Sequence, residues 1–166
     1  MNLAVSERLR LDEALVARGL YASRSRARDA IVRGTVLVGG AVVSKPGQMV
    51  GADAVIEISD PAQAYVSRAA LKLVAGLDHF GLSAKGETAL DIGASTGGFV
   101  QVLLQRGASH VIGVDVGHGQ LHALLVNDVR VTNLEGLNAR ELAREHLGER
   151  KIGFITSDVS FISLKL

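Results

Sequence analysis

Between Leu9 and Arg18 the apolar positions Leu11, Ala14 and Leu15 recur at helical spacing, which predicts a first helix ended by Gly19. Ser23 then caps a second helix that Gly34 ends, with Ala27, Ala30 and Ile31 on one face. The β-rich runs Thr35–Val38 and Ala41–Val43 flank Gly39-Gly40 and read as a hairpin, and Val55–Ile58 is a further short strand. Asp60-Pro61 closes this unit. From Ser67 to His79 the apolar residues Ala69, Ala70, Leu73, Val74 and Leu77 return to helical spacing, an amphipathic helix within a bridge over residues 62–86. After Glu87 the pattern alternates. Strands over 88–92, 110–116, 129–133 and 152–157 are separated by helices over 99–105, 119–127 and 139–147. Strand-helix alternation with short loops predicts a doubly wound parallel sheet, so the fold class is α/β with a small α+β unit in front.

Composition trims the alternatives. The 166 residues are 48% hydrophobic and 21% charged, which is globular. With no Trp and 4% aromatic residues, the core must be aliphatic. The absence of Cys excludes disulfide scaffolds, cysteine-ligated zinc and cysteine nucleophiles, and fits a cytoplasmic protein. No apolar run is long enough to span a bilayer, and the first 20 residues carry charges every few positions instead of a signal-peptide core. A net charge of +1 gives bulk electrostatics no claim on nucleic acid. The charge is local instead: Arg18, Arg24, Arg26, Arg28 and Arg33 lie close together, opposed there by Asp29.

The candidate chemistry sits at Asp91-Ile92-Gly93-Ala94-Ser95-Thr96-Gly97-Gly98-Phe99, between the first strand of the alternating region and its helix, where ligands of open parallel sheets bind. Gly93 and Gly98 offer close backbone approach to a ligand. The third motif position is Ser95, not the Gly of a dinucleotide site, and no Lys follows as a phosphate loop needs. Asp115, at the end of the second strand, can accept both ribose hydroxyls of a nucleoside. Asp91 can orient the glycine loop or meet a cationic amino group. An acidic, phosphate-free nucleoside site suggests S-adenosylmethionine. His118 and His122 are spaced i,i+4, but no third ligand accompanies them, so no metal is expected.

Two resemblances follow from quoted residues. Arg8-Leu9-Arg10-Leu11-Asp12, Ser23-Arg24-Ser25-Arg26-Ala27, Ile31–Val36 and Lys45-Pro46-Gly47 resemble the RNA-binding module of ribosomal protein S-four and of pseudouridine synthases. Tyr65-Val66-Ser67-Arg68, Leu71-Lys72-Leu73, Asp91–Phe99, Asp115-Val116-Gly117, Gly119-Gln120-Leu121, Asn138-Ala139-Arg140 and Ser157–Leu164 resemble the TlyA family, called hemolysins or ribosomal RNA 2′-O-methyltransferases, whose catalytic domain is of the FtsJ type.

The resemblance implies an S-four-like domain over 1–61, the bridging helix over 62–86, and over 87–166 the first half of a Rossmann-like, S-adenosylmethionine-dependent methyltransferase domain. It implies methyl transfer to a ribose 2′-hydroxyl, of a cytidine, in ribosomal RNA or a ribosomal subunit. Lys72 and Asp158 take the catalytic places. Asp91, Gly93, Ser95, Thr96, Gly97, Gly98, Phe99, Asp115 and Asn138 are the donor-binding candidates, with Asn138 near the adenine or capping its own loop. Arg18, Arg24, Arg26, Arg28, Arg33, Lys45 and Arg68 are the candidates for RNA. A small Ala69 replaces the family's common Gly after the Arg, with little effect expected. The family's sheet has seven strands and adds a later Lys and Glu, whereas this sequence shows four strands and stops at Leu166, within an apolar helix start over 161–166. The expectation is therefore a fragment that binds the donor without turnover. The competing readings are a non-catalytic RNA-binding protein and, last, a membrane-active hemolysin, for which no basic surface helix of strong amphipathicity is visible.

Overall fold

The computed structural model describes residues 8–159. The sequence motif beyond Val159 and the helix start over 161–166 lie outside the described residues. The chain divides into two units, residues 1–61 and 62–166.

In the first unit a strand precedes the helix that the apolar spacing predicts. Arg8–Arg10 is β1, and α1 follows at Leu11–Ala17. Arg10 is extended, with ψ 142°, because β1 pairs antiparallel with β4 (Met49–Gly51), Leu9 opposite Val50. Helix α2 (Arg24–Val32) begins where Ser23 accepts a hydrogen bond from the Arg26 N–H. β2 (Val36–Val38) is central in a three-stranded antiparallel sheet, between β3 (Ala41–Val42) and β5 (Ile56–Ile58). Leu11, Leu15, Ile31 and Val36 are fully buried at the centre of this unit's core.

In the second unit α3 (Ala70–Phe80) packs on α4 (Gly98–Gln105). Four parallel strands lie in the order β8–β7–β6–β9: Val131–Glu135, His110–Asp115, Thr88–Ile92 and Ile152–Ser157. The order reverses between β6 and β9, so the crevice at the carboxyl ends of those two strands is the expected ligand position. Alternation along β6 and β7 splits the core. Ala89 and Val111 join Leu73, Leu77, Val100 and Leu103 on one face. Leu90, Ile112 and Val114 meet Leu134, Leu137, Leu142, Leu147 and Ile152 on the other.

Further elements, in the second unit, differ from the sequence expectation. The helix expected over 119–127 is a single turn, α5 (Ala123–Val126). Residues 117–122 stay a loop, and His122 Nδ1 accepts from the Leu124 N–H at 3.2 Å to start the turn. The helix expected over 139–147 breaks into a 3₁₀ turn at Ala139–Glu141 and α6 (Arg144–Leu147). The third strand starts two residues later than expected. Asp128 Oδ1 accepts from the Arg130 N–H at 2.9 Å, a side-chain turn that leaves Val129 94% exposed.

Candidate functional site

Gly93 leaves β6 with φ +87°, and its N–H donates to Val114 O at 2.8 Å. A Cβ there would sit 3.0 Å from Val159 Cγ1 and 3.1 Å from Asp158 O, so glycine lets the loop touch the end of β9. Gly97, with φ +92°, and Gly98 also lie close against protein. A Cβ on Gly97 would meet Leu125 Cδ1 at 2.3 Å and Leu121 Cδ1 at 2.7 Å, and one on Gly98 would meet Ser67 Oγ at 2.3 Å. Both glycines pack the loop against protein, and Phe99, in the first turn of α4, packs against the core.

Two cavities meet at this loop. One, of about 290 Å³, is lined by the apolar Val114, Val116 and Leu137 and by Asp115, Gln120 and Asn138. The other, of about 210 Å³, is lined by Ser67, Ala69, Thr96, Gly98 and Phe99. Gly93, Ser95 and Asp158 line both. Lys72, on α3, donates to both carboxylate oxygens of Asp158, at 2.9 and 2.8 Å. The lysine side chain is 66% exposed, so the pair adds little to stability. Its significance is positional: residues 86 apart in sequence converge at the cavity junction.

Three carboxylates serve this end of the sheet. Asp115 accepts from the Ser95 N–H through Oδ2 and from the Gly117 N–H through Oδ1, both at 2.8 Å. It therefore ties two loops together and keeps lone pairs free for a ligand. Asp91 is 1% exposed. Its Oδ1 accepts from the Thr156 hydroxyl at 2.8 Å, and its buried Oδ2 has no partner among the described residues. Burial pushes the Asp91 carboxyl up to about 7, the Thr156 hydrogen bond opposes this, and the charges of Asp158 and Asp115 add to it. Asn138 Oδ1 accepts from the Arg140 N–H at 3.0 Å, so this residue caps its own turn while lining the first cavity.

Thr156 and Gln120 were not among the residues singled out from sequence. Thr156 is detectable only through the β6–β9 register that places it opposite Asp91. Gln120 stood in a quoted motif, but only the structure joins it to Ser95. Among the described residues no cluster of three or more metal-ligating side chains occurs. No described helix is long and apolar enough to cross a membrane.

The arginines of the first unit are largely occupied. Arg18 donates to the carbonyls of Ala54, Ala52 and Gly51 at 2.6, 2.9 and 3.1 Å and pins the turn after β4. Arg24 bonds Asp12 and Glu13, each at 3.1 Å. Arg33 pairs with Asp29 and, at 2.6 Å, with Asp60. Arg26 is half-buried, whereas Arg28, Lys45 and, in the second unit, Arg68 are exposed.

The family models agree with this division. Residues 9–56 match the S4 domain and residues 65–166 match the FtsJ-like methyltransferase. The chain is 46% identical over 161 residues to the Mycobacterium tuberculosis 16S/23S rRNA (cytidine-2′-O)-methyltransferase TlyA, covering 96% of this chain and 60% of that protein. It is 42% identical to hemolysin A of Brachyspira hyodysenteriae, covering 94% of this chain and 65% of that one. A solved structure bearing the name hemolysin, from Streptococcus thermophilus, superposes with a TM-score of 0.65 at 37% identity over 96% of this chain and 59% of that chain. The chain thus spans about six-tenths of the length of the curated relatives it matches. With more than half of its residues matched, and with a parallel sheet whose glycine loop, Asp115 and Lys72–Asp158 pair converge, this chain belongs to the FtsJ-like methyltransferase family and carries an S4 domain ahead of it.

Proposed function

We propose that this chain is the S-adenosylmethionine-binding and RNA-recruiting part of a TlyA-type ribosomal RNA 2′-O-methyltransferase. The observation that carries the reading is the junction of two cavities at Gly93 and Asp158, with Lys72 bonded to Asp158.

The residues fit a cationic nucleoside donor. Asp115 and Asp158 line the first cavity beside apolar and neutral polar side chains, and the buried Asp91 Oδ2 has no partner among the described residues. Val114, Val116 and Leu137 offer apolar surface to a base, and Asp115 offers its remaining lone pairs to ribose hydroxyls. When bound, S-adenosylmethionine would supply an activated methyl group on a good leaving group. The residues of this chain then need to position and deprotonate a ribose hydroxyl. Lys72 and Asp158, joined by two hydrogen bonds, are the pair that orients that hydroxyl and receives its proton. Holding the hydroxyl in line supplies a further large part of the acceleration. Arg28, Lys45 and Arg68 contact RNA phosphates, which recruits the substrate without reading sequence. Arg18, Arg24 and Arg33 hold elements of the first unit together through their carbonyl and carboxylate partners.

Calorimetric titration of S-adenosylmethionine into this chain tests the donor site. Saturable binding that Asp115→Ala abolishes is expected, and absence of binding in the folded wild-type chain refutes the reading. Methyl transfer to ribosomal RNA, lost in Lys72→Ala with donor binding retained, tests the chemistry. Transfer that survives Lys72→Ala overturns the role assigned to the pair.

A further inference from the structure

The donor reading leaves unexplained how the glycine loop is held against the loop that follows Asp115. Ser95 is the one described residue other than glycine with positive φ, at +46°. For an L-residue that conformation is strained and persists only where surroundings fix it. Two hydrogen bonds do so. The Ser95 N–H donates to Asp115 Oδ2 at 2.8 Å, and the Ser95 hydroxyl donates to Gln120 Oε1 at 3.1 Å.

The Gln120 amide lies directly over Gly117. A Cβ on Gly117 would come within 1.9 Å of Gln120 Nε2 and 3.2 Å of Asp115 Oδ1. The Gly117 N–H in turn donates to Asp115 Oδ1 at 2.8 Å. The contacts close a ring: Ser95 to Asp115, Asp115 to Gly117, Gly117 under Gln120, and Gln120 back to Ser95. The far end of the loop is anchored separately, where Glu135 Oε2 accepts from the Gly119 N–H at 2.9 Å. Gln120 is exposed and lines the cavity that Asp115 lines.

We infer that Gln120 is a positioning residue of the nucleoside pocket: by holding Ser95 in its left-handed conformation it fixes the orientation of the Asp115 carboxylate toward a ribose diol. This rests on the donor reading above.

The test compares four forms of the full chain: wild type, Gln120→Ala, Ser95→Gly and the double variant. S-adenosylmethionine affinity is read by calorimetry, and the Ser95 and Gly117 amides are read by hydrogen exchange without ligand. In Gln120→Ala the strained Ser95 loses its support, so affinity should fall roughly tenfold and both amides should exchange faster. Glycine adopts positive φ without strain, so Ser95→Gly should lose less affinity than Gln120→Ala. The double variant should recover most of the affinity that Gln120→Ala loses, a rescue that simple loss of a contact or of stability would not give. Unchanged affinity and exchange in Gln120→Ala, or a double variant no better than Gln120→Ala, overturns the inference. Failure of the wild-type chain to bind S-adenosylmethionine overturns the donor reading itself, and is separable because amide exchange is measured without ligand.

Discussion

Asp12 in the first unit and Asp91 in the second are both hidden from solvent, at 0% and 1% exposure, and their surroundings treat them in opposite ways. Burial alone would push Asp12 upward. The Arg10 and Arg24 guanidiniums, bonded to its two oxygens at 3.1–3.2 Å, outweigh that and hold its carboxyl below the ordinary aspartate range. Asp91 has one neutral hydroxyl for a partner and two like charges nearby, and it stays well above that range. A buried acid with two cations welds α1, α2 and β1 together. A buried acid without a cation holds acceptor capacity at the ligand end of a sheet. The first is a structural device. The second leaves one carboxylate oxygen without a partner among the described residues.

The largest expected effect comes from removing the charge that Asp91 can acquire. Its folded pKa of about 7 lies above the value in an unfolded chain. Its contribution to stability is therefore fully present below about pH 4 and lost as pH rises through 7. Asp91→Asn keeps an acceptor for Thr156 and removes the ionisation. Between pH 4 and pH 8 wild type should lose on the order of 4 kcal/mol more stability than the variant, read from denaturant midpoints of the second unit. Parallel pH profiles would break the contrast with Asp12.

The Asp12 side of the comparison has the opposite pH sign and a smaller size. With a folded pKa below the unfolded value, its stabilisation is present above about pH 4 and lost as pH falls through the folded pKa. Asp12→Ala should cost the first unit about 2 kcal/mol at pH 7, because the released guanidiniums are half-exposed and regain water. The thermal transition of that unit should drop, while that of residues 62–166 stays. A variant as stable as wild type would show that the weld is dispensable.

Tyr21 sharpens the picture within the first unit. Its hydroxyl donates to Asp60 Oδ2 at 3.1 Å, and burial, with Asp60 beside it, pushes the phenol up to about 12. Tyr21→Phe should cost about 1 kcal/mol in the same melt, since Arg33 still covers Asp60. Smallest of all, Arg28→Ala should leave both melts unchanged and weaken RNA binding, with a shallower dependence of affinity on salt. An unaltered salt slope would remove Arg28 from the RNA face.

The alternating region was legible because β6 and β7 are buried runs of five and six residues and β9 is six residues long, each bounded by turns. The pair β1–β4 was not. Each strand is three residues long, and the partners lie about 40 positions apart, so no local pattern exists to read. The site divides the same way. Residue types at strand ends pointed to Asp115 and Asp158, since position along the sheet is set by sequence order. The occupation of Arg18 by three carbonyls and the grip of Gln120 on Ser95 depend on loops meeting, and spacing does not encode that. Gly97 and Gly98 show the limit from the other side. Their identity was readable, but its steric cause lies in Leu121, Leu125 and Ser67.

The strand order β8–β7–β6–β9 also sets a schedule for synthesis. A ribosome delivers β6, β7 and β8 in sequence, and these three can pair as they emerge. The other flank of β6 has to wait some sixty residues for β9. Until residues 152–158 are released, Asp91 lacks Thr156 and Lys72 lacks Asp158. The pocket rim at Asp115 can therefore exist on a nascent chain before the Lys72–Asp158 pair does. A chain stalled before β9 would carry Asp115 with its loop partners but not the Lys72–Asp158 pair, so arrival of this one strand completes the cavity junction.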